Sequence, residues 1–415
     1  MFRFIHAADI HLDSPLRGLS AHEGAPVATL RTATRLAFSR LVDAALSQSI
    51  DFLVLAGDLY DGDWRDYNTG LFFCREMGRL NRAGIPVLVA YGNHDAESEI
   101  SKRLPLPENV RVFSTRAAET VRLEGLRVAV HGRSFKEAVT TENLVPGYPA
   151  PLPGWVNIGL LHTALEGNAA HATYAPCSLA ELCAHGYDYW ALGHVHEYAV
   201  LSEDPWVVYP GNLQGRHVRE CGPRGAVLVS GEAGRIGIER LIDVVRWNHL
   251  RVDVSDRASF DAVVDAVGTA LARLRDAEGD ERPLPVRISL FGQTAAHGAL
   301  FGLERQLRAE IAARAAGLVS EQLWVERVVI ETSPPAAALA GRGDALADLQ
   351  AFLDAAPEDA DLRQEITAVL QDFIAKAPHE LLQALPELEP IRQGEIEPLI
   401  RRVAPALLAR IATGD

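Results

Sequence analysis

The chain has 415 residues, 48 % of them hydrophobic, and carries a formal net charge of −15. That length exceeds what one core usually serves, so two or three domains are expected. The acidic balance excludes a protein that coats nucleic acid through bulk charge, though not one with a locally basic groove or with metals at its site.

No stretch of about eighteen apolar residues is present to span a bilayer. The opening Met1-Phe2-Arg3-Phe4-Ile5-His6 lacks the basic and long apolar pattern of a signal peptide, which gives a cytoplasmic expectation. The 4 cysteines (Cys74, Cys177, Cys183, Cys221) form no CxxC pair and are expected as reduced thiols rather than a zinc site.

In chain order, Phe2–Ala8 reads as a strand, followed by a helical stripe of Leu30, Leu36, Leu41, Val42 and Leu46. Arg31, Arg35 and Arg40 on that segment read as a solvated face. Asp51–Ala56 is a second strand, a helix follows around Leu71–Arg82, and Pro86–Tyr91 is a third strand. Further strands are expected at Arg127–His131, Val156–Leu161, Tyr187–Leu192, Trp206–Tyr209 and Ala226–Ser230. This pattern predicts a layered α/β core over residues 1–245.

Residues 246–332 read as a small α+β unit: strand Leu250–Val254, helix Ser259–Arg275, strand Val286–Phe291, helix Leu300–Ala316, strand Trp324–Ile330. Residues 333–343, rich in Pro, Ala and Gly, form a linker. The tail, 344–415, carries a helical pattern throughout. Leu362, Ile366, Val369, Leu370, Phe373 and Ile374 share one helical face, and Ile396, Leu399, Ile400, Val403, Leu407 and Ile411 another. Pro398 and Pro405 are expected to kink or interrupt the second helix.

Five signals each follow an apolar strand: Asp9-Ile10-His11, Gly57-Asp58, Gly92-Asn93-His94-Asp95, His162, and Gly193-His194-Val195-His196. Loops at the C-terminal ends of strands line the crevice of layered α/β sheets, so residues this far apart in sequence can converge on one rim. Taken alone, each has an ordinary reading as turn chemistry or as a hydrogen-bonded core histidine. Together they supply carboxylate, amide oxygen and imidazole, a set that suits manganese, iron or zinc better than calcium. There are too many candidates for one ion and enough for two that share a bridging carboxylate. The glycines before Asp58, Asn93 and His194 allow the tight approach such a site needs.

This ordered set resembles the signature of the calcineurin-like metallophosphoesterases. The flanking stretches His6–Pro15, Trp190–His196 and Tyr209–His217 resemble bacterial DNA-repair exonucleases of the SbcD and YhaO type. The resemblance covers the first domain well, the small domain moderately and the tail loosely. It implies a four-layer α/β/β/α core, an α+β capping domain and a helical C-terminal tail. It also implies that Asp9, His11 and His196 hold one divalent ion, that Asn93, His162 and His194 hold the other, and that Asp58 bridges them. The metals would most naturally be Mn2+, with Fe2+, Zn2+ or Mg2+ as alternatives. His94 would act as proton donor to the leaving oxygen or as a transition-state contact. Asp95 would orient His94 or simply pin the turn, the second being the better reading. Some nucleases of the family carry a histidine three residues after the bridging aspartate, where this chain has Asp61.

Arg216, His217 and Arg219, just past Gly211-Asn212, read equally well as phosphate contacts or as an exposed polar loop. The activity implied by resemblance is a 3′-to-5′ exonuclease on double-stranded DNA, with added endonuclease activity, working with a large coiled-coil ATPase of the SbcC or YhaN type and as a homodimer. The tail would dock the ATPase, or else pack on itself. Two other functions compete. A small-molecule phosphoesterase for cyclic nucleotides or phosphomonoesters fits the same ligands and the acidic charge, but leaves residues 246–415 unexplained. A non-catalytic scaffold would be expected to have lost ligands, and none is missing.

Overall fold

The computed structural model describes residues 1–14, 32–61, 67–97, 105–165, 174–232, 235–279, 282–318, 323–335, 345–376, 391 and 394–413. Two compact units divide after Arg246.

The first unit is built on two six-stranded sheets. In one, β1 (Phe2–Ala7), β2 (Phe52–Ala56), β3 (Val87–Ala90) and β4 (Val110–Val112) run parallel. Strands β11 (Gly225–Glu232) and β12 (Arg235–Ile242) extend it antiparallel beyond β1, in the order β12-β11-β1-β2-β3-β4. The other sheet contains β5 (Glu119–Leu123), β6 (Val128–Gly132), β7 (Val156–His162), β8 (Tyr189–Gly193), β9 (Ala199–Glu203) and β10 (Trp206–Tyr209), ordered β5-β6-β7-β8-β10-β9. Its four inner strands are parallel.

The sheets face each other across one core. Phe4, Phe52, Val54 and Leu88 from the first sheet join Val130, Ile158, Leu160, Tyr189 and Val208 from the second. Phe4 stacks on Phe52 at 4.8 Å and meets Tyr189 edge-on at 5.4 Å. The polar pair in this interface is His6 and Tyr189, 3.1 Å apart, with His6 Nε2 donating to the Leu192 carbonyl at 3.0 Å. Burial pushes the His6 imidazole down to about 3, so it sits neutral between the sheets.

Parallel strands need crossover connections, and the helices Ala33–Ser47 and Tyr67–Arg82 supply them between β1 and β2 and between β2 and β3. Their buried faces carry Phe38, Leu41 and Val42, and Phe73, Met77 and Leu80, covering the sheet face turned away from the sandwich. On the far side, Trp190, Leu192 and Val207 pack with Tyr148 and with Leu182 of the helix Leu179–Ala184. The architecture is the expected α/β/β/α. Burial on both faces explains why β1, β2 and β8 read as continuous apolar runs.

Four strands were not expected from sequence: β4, β5, β9 and β12. Each lies at a sheet edge. Arg35 also departs from expectation. Rather than forming a solvated face, it pairs with Asp13, Nε to Oδ1 at 2.6 Å, and lies 5.1 Å over the Phe72 ring. Arg31 lies outside the described residues, while Arg40 is exposed.

The second unit begins with a wholly parallel sheet of β13 (Asn248–Asp253), β14 (Leu284–Gln293) and β15 (Leu323–Ser333). Helix Phe260–Glu278 starts at Ser259, whose hydroxyl accepts the Ala262 N–H as an N-cap. The single helix expected over Leu300–Ala316 is instead two, His297–Gly302 and Glu304–Gly317, parted at Leu303. Val263, Val267, Leu271, Ile288, Leu290, Leu307 and Ile311 form the unit's own core.

The tail contributes helices Ala345–Ala355, Ala360–Lys376 and Glu397–Thr413. The last packs against helices His297–Gly302 and Ala345–Ala355. It runs unbroken through both prolines: Pro398 occupies the first turn, where the missing N–H has no intrahelical partner, and Pro405 is accommodated within it. Ile374, Ile391, Ile396 and Ile400 are buried together, but Val369, Phe373, Val403, Leu407 and Ile411 remain exposed. The two apolar stripes are thus covered over only part of their length. Most of the linker, 336–343, lies outside the described residues.

Candidate metal centre

Strands β1, β2, β3, β7 and β8 end at Ala7, Ala56, Ala90, His162 and Gly193, each immediately before or within one of the five sequence signals. The first two loops continue the pairing of their strands. Asp9 N–H donates to the Gly57 carbonyl at 3.0 Å, His11 N–H to Asp58 at 3.0 Å and Leu12 N–H to Leu59 at 2.9 Å. The other sheet is tied to the same rim by His162, whose Nδ1 donates to the Ala56 carbonyl at 2.9 Å, and by the His194 N–H, which donates to an Asp9 carboxylate oxygen at 2.9 Å.

Close approach of backbone makes this rim. A Cβ on Gly193 would stand 1.8 Å from the Ala56 carbonyl oxygen, and one on Gly92 would stand 2.4 Å from Asp58 Oδ1. Asp9, His11, Asp58 and His194 all hold positive φ, at 49°, 46°, 53° and 100°. Such conformations cost a non-glycine residue about 1–3 kcal/mol and cluster at functional sites.

Three groups of ligand-type atoms result among the described residues, the atoms of each lying within 4.8 Å of one another: Asp9, His11 and His196; Asp58, His162 and His194; and His11, Asp61 and His94, which shares His11 with the first. The Asn93 Oδ1 joins the second group, 3.0 Å from His162 Nε2, with Asp58 Oδ2 at 3.5 Å from the same nitrogen. All the residues singled out from the five signals therefore meet here.

The electrostatics fit cations. His11 Nδ1 is 2.6 Å from Asp61 Oδ1, and His196 Nδ1 is 2.8 Å from Glu220 Oε1. With each Nδ1 hydrogen directed at a carboxylate, each Nε2 turns its lone pair inward, and the two Nε2 atoms face each other at 3.4 Å. A shared cation relieves that contact, as would a proton on either nitrogen. Burial, reinforced by Arg216, pushes His11 down to about 4, so a proton is disfavoured. Burial and the neighbouring Asp58 push Asp9 well above the usual carboxylate range. Burial would raise Asp58 too, but His162, His11 and His94 outweigh it and hold that carboxyl low. Two buried carboxylates that repel each other in this way attract a cation between them.

His94 stands at the mouth, with its side chain 41 % exposed and Nδ1 3.9 Å from Asp61 Oδ1. The His94 backbone N–H donates to Asp58 Oδ1 at 3.1 Å. Asp95 pins the turn: it accepts the backbone N–H groups of Leu59 at 2.9 Å, Tyr60 at 3.2 Å and Gly92 at 3.0 Å. Burial and Asp58 push its carboxyl up to about 8.

Of the three loop residues, Arg216 is held rather than open. Its guanidinium is 3.0 Å from Glu220 Oε1 and 3.6 Å from Asp61 Oδ1. Arg216, His217 and Arg219 all line a cavity of about 510 Å3 that reaches the ligand groups, together with Tyr174, Glu197 and Arg224. Sequence reasoning missed Glu220 and Tyr174. Glu220 is buried, but in sequence it is one acid in an Arg-His-Val-Arg-Glu loop with nothing to mark it.

A layered α/β/β/α sandwich with two clustered Asp/His ligand groups on its rim defines a metallophosphoesterase. Residues 2–198 match the calcineurin-like phosphoesterase family, and residues 247–333 match the metallophosphoesterase YhaO middle domain. The chain is 38 % identical over 296 residues to the "Uncharacterized metallophosphoesterase YhaO" of Bacillus subtilis (strain 168), covering 70 % of this chain and 71 % of that one. It is 30 % identical over 213 residues to the "DNA double-strand break repair protein Mre11" of Methanopyrus kandleri, covering 47 % of this chain and 44 % of that one. The Mre11 of Aeropyrum pernix is 25 % identical over 315 residues, covering 68 % and 71 %. The chain belongs to the calcineurin-like metallophosphoesterases, a family of metal-dependent phosphoester hydrolases that bind two divalent metals. No described helix is long and apolar enough to cross a membrane.

Proposed function

We propose that this protein is a manganese-dependent phosphodiesterase that hydrolyses DNA, the nuclease partner of a large coiled-coil ATPase. The observation that carries the catalytic part is the facing pair of imidazole Nε2 atoms at 3.4 Å beside the Asp9 and Asp58 carboxylates. Asp9, His11 and His196 would hold one ion, and Asn93, His162 and His194 the other, with Asp58 between them. When bound, the ion pair supplies Lewis-acid activation of water and neutralises charge on the phosphate. Asp61 and the Ala56 carbonyl fix the tautomers of His11 and His162, so that both Nε2 atoms face the site. His94, at the mouth, would give a proton to the departing oxygen. Exposed Arg219 and half-buried His217 would contact flanking phosphates.

DNA as substrate is supported by the similarity to Mre11 proteins named for double-strand break repair. An additional unit and a helical tail after the catalytic unit also suit a macromolecular substrate. The exposed Val369 and Phe373, and Val403, Leu407 and Ile411, each set at helical i, i+4 spacing, are where the ATPase would dock. The cytoplasm, where the DNA lies, is the expected location, and a 3′-to-5′ exonuclease the expected polarity. The net charge of −15 favours a second reading, a small-molecule phosphoesterase.

The test is digestion of end-labelled linear duplex DNA with Mn2+, comparing wild type with His94→Ala and Asp58→Ala, and with bis-p-nitrophenyl phosphate assayed in parallel. DNA digestion lost in both variants supports the nuclease. Loss of roughly 100-fold or more in turnover is expected for His94→Ala. Turnover of the small diester with DNA left intact, even with the ATPase present, would overturn the DNA reading.

A further inference from the structure

What stands behind His11 and His196 differs from what stands behind His162. In the Asp9, His11, His196 group, both imidazoles are backed by carboxylates. His11 Nδ1 meets Asp61 at 2.6 Å and His196 Nδ1 meets Glu220 at 2.8 Å. Behind His162, Nδ1 meets the neutral Ala56 carbonyl at 2.9 Å, with no carboxylate there among the described residues.

The two carboxylates are themselves fastened. Glu220 is buried and accepts four times besides His196: from the Arg216 N–H at 2.7 Å and Nε at 3.5 Å, its Nη2 at 3.0 Å, and Asn212 Nδ2 at 3.0 Å. Arg216 then spans to Asp61, Nη1 to Oδ1 at 3.6 Å, and to the Ser14 hydroxyl at 3.4 Å. One guanidinium thus joins the two carboxylates that orient His11 and His196. Burying three charges together is costly unless each is paired, and here each is. A carboxylate behind a ligating imidazole fixes its tautomer and strengthens its donor nitrogen, typically by 10- to 100-fold in metal affinity.

We infer that Glu220 and Asp61, cross-linked by Arg216, are positioning residues that make the Asp9/His11/His196 position the tighter of the two, so that the site loads in two unequal steps. This rests on the two-metal reading above. The Asn93/His162 position, with a neutral partner behind His162, fills second. Arg216, which from sequence read equally as a phosphate contact or part of an exposed polar loop, is a member of this frame and also lines the cavity.

The experiment is calorimetric titration of Mn2+ into metal-free full-length protein. His196→Ala and His162→Ala identify which step belongs to which position. Wild type is expected to bind two ions in separate steps, and Glu220→Gln to weaken the step that His196→Ala abolishes by roughly 10- to 100-fold. Asp61→Asn should weaken that same step. In both variants the step that His162→Ala abolishes should persist, within about threefold of wild type, and its persistence shows that the rim is still folded. If Glu220→Gln weakens both steps equally or neither, or if the His162 position fills first, the inference fails while the two-metal reading stands. A wild-type stoichiometry below two overturns both.

Discussion

Replacing His6 with glutamine tests whether a neutral histidine locked between the sheets makes the fold acid-sensitive. His6 is fully buried, donates through Nε2 to the Leu192 carbonyl at 3.0 Å, and meets the Tyr189 hydroxyl at 3.1 Å. Burial lowers its pKa from 6.5 to about 3. At about 1.4 kcal/mol per pH unit, that gap amounts to about 5 kcal/mol, an upper bound because water entry and relaxation reduce it. The folded pKa lies below the unfolded one, so the unfolded chain binds the extra proton. Stability is therefore whole above about pH 6.5 and falls as pH drops from there toward about 3. Urea unfolding of metal-free protein at several pH values between 8 and 4 measures the slope. Other buried histidines steepen the wild-type curve, so the informative quantity is the difference between wild type and variant. His6→Gln is expected to be less stable at pH 8, by about 1–3 kcal/mol for the imperfect hydrogen bonds. Its stability should fall less steeply below pH 6.5, by up to about 1.4 kcal/mol per pH unit. Parallel curves for the two proteins would refute the reasoning.

Gly193→Ala should cost about 3 kcal/mol or more, because the new methyl would lie 1.8 Å from a backbone carbonyl and not against a side chain that could move. Gly237→Ala, in β12 with open space around it, serves as the control in the same thermal-melting experiment and should change little. Mn2+ at 100 times its dissociation constant should stabilise the protein by about 2.7 kcal/mol, read as a raised Tm that chelator reverses. A Tm indifferent to Mn2+ and chelator would contradict a metal centre. In the second unit, Arg287 grips Glu326 through two hydrogen bonds of 2.8 and 2.7 Å between neighbouring strands. Arg287→Ala leaves a mostly buried carboxylate unpaired, and should lower local stability by about 1–3 kcal/mol, seen as faster hydrogen exchange in β14 and β15.

What sequence determined by itself was whatever depends on neighbours along the chain. The central strands β1, β2, β3, β7 and β8 are buried on both faces, so they stand out as unbroken apolar runs, and each chemical signal sits at the end of one. The helices Ala33–Ser47, Tyr67–Arg82 and Phe260–Glu278 were legible from their periodicity, to within a few residues at their ends. The edge strands were not. Val110–Val112, Glu119–Leu123 and Ala199–Glu203 are only partly covered, so no apolar alternation is demanded of them, and their pairing comes from the sheet they extend. The tail's apolar stripes were read correctly as helical faces, but which part of each is buried depended on what lies opposite: Ile374 is covered and Phe373 is not. The same division holds in the site. A ligand at a strand end announces itself through its glycine and its strand. Glu220, 24 residues from the His196 it supports, has no local pattern to betray it. A carboxylate acquires that role only when folding removes the water around it and sets it at hydrogen-bond distance from an imidazole, which no order of residues along a chain specifies without the tertiary structure.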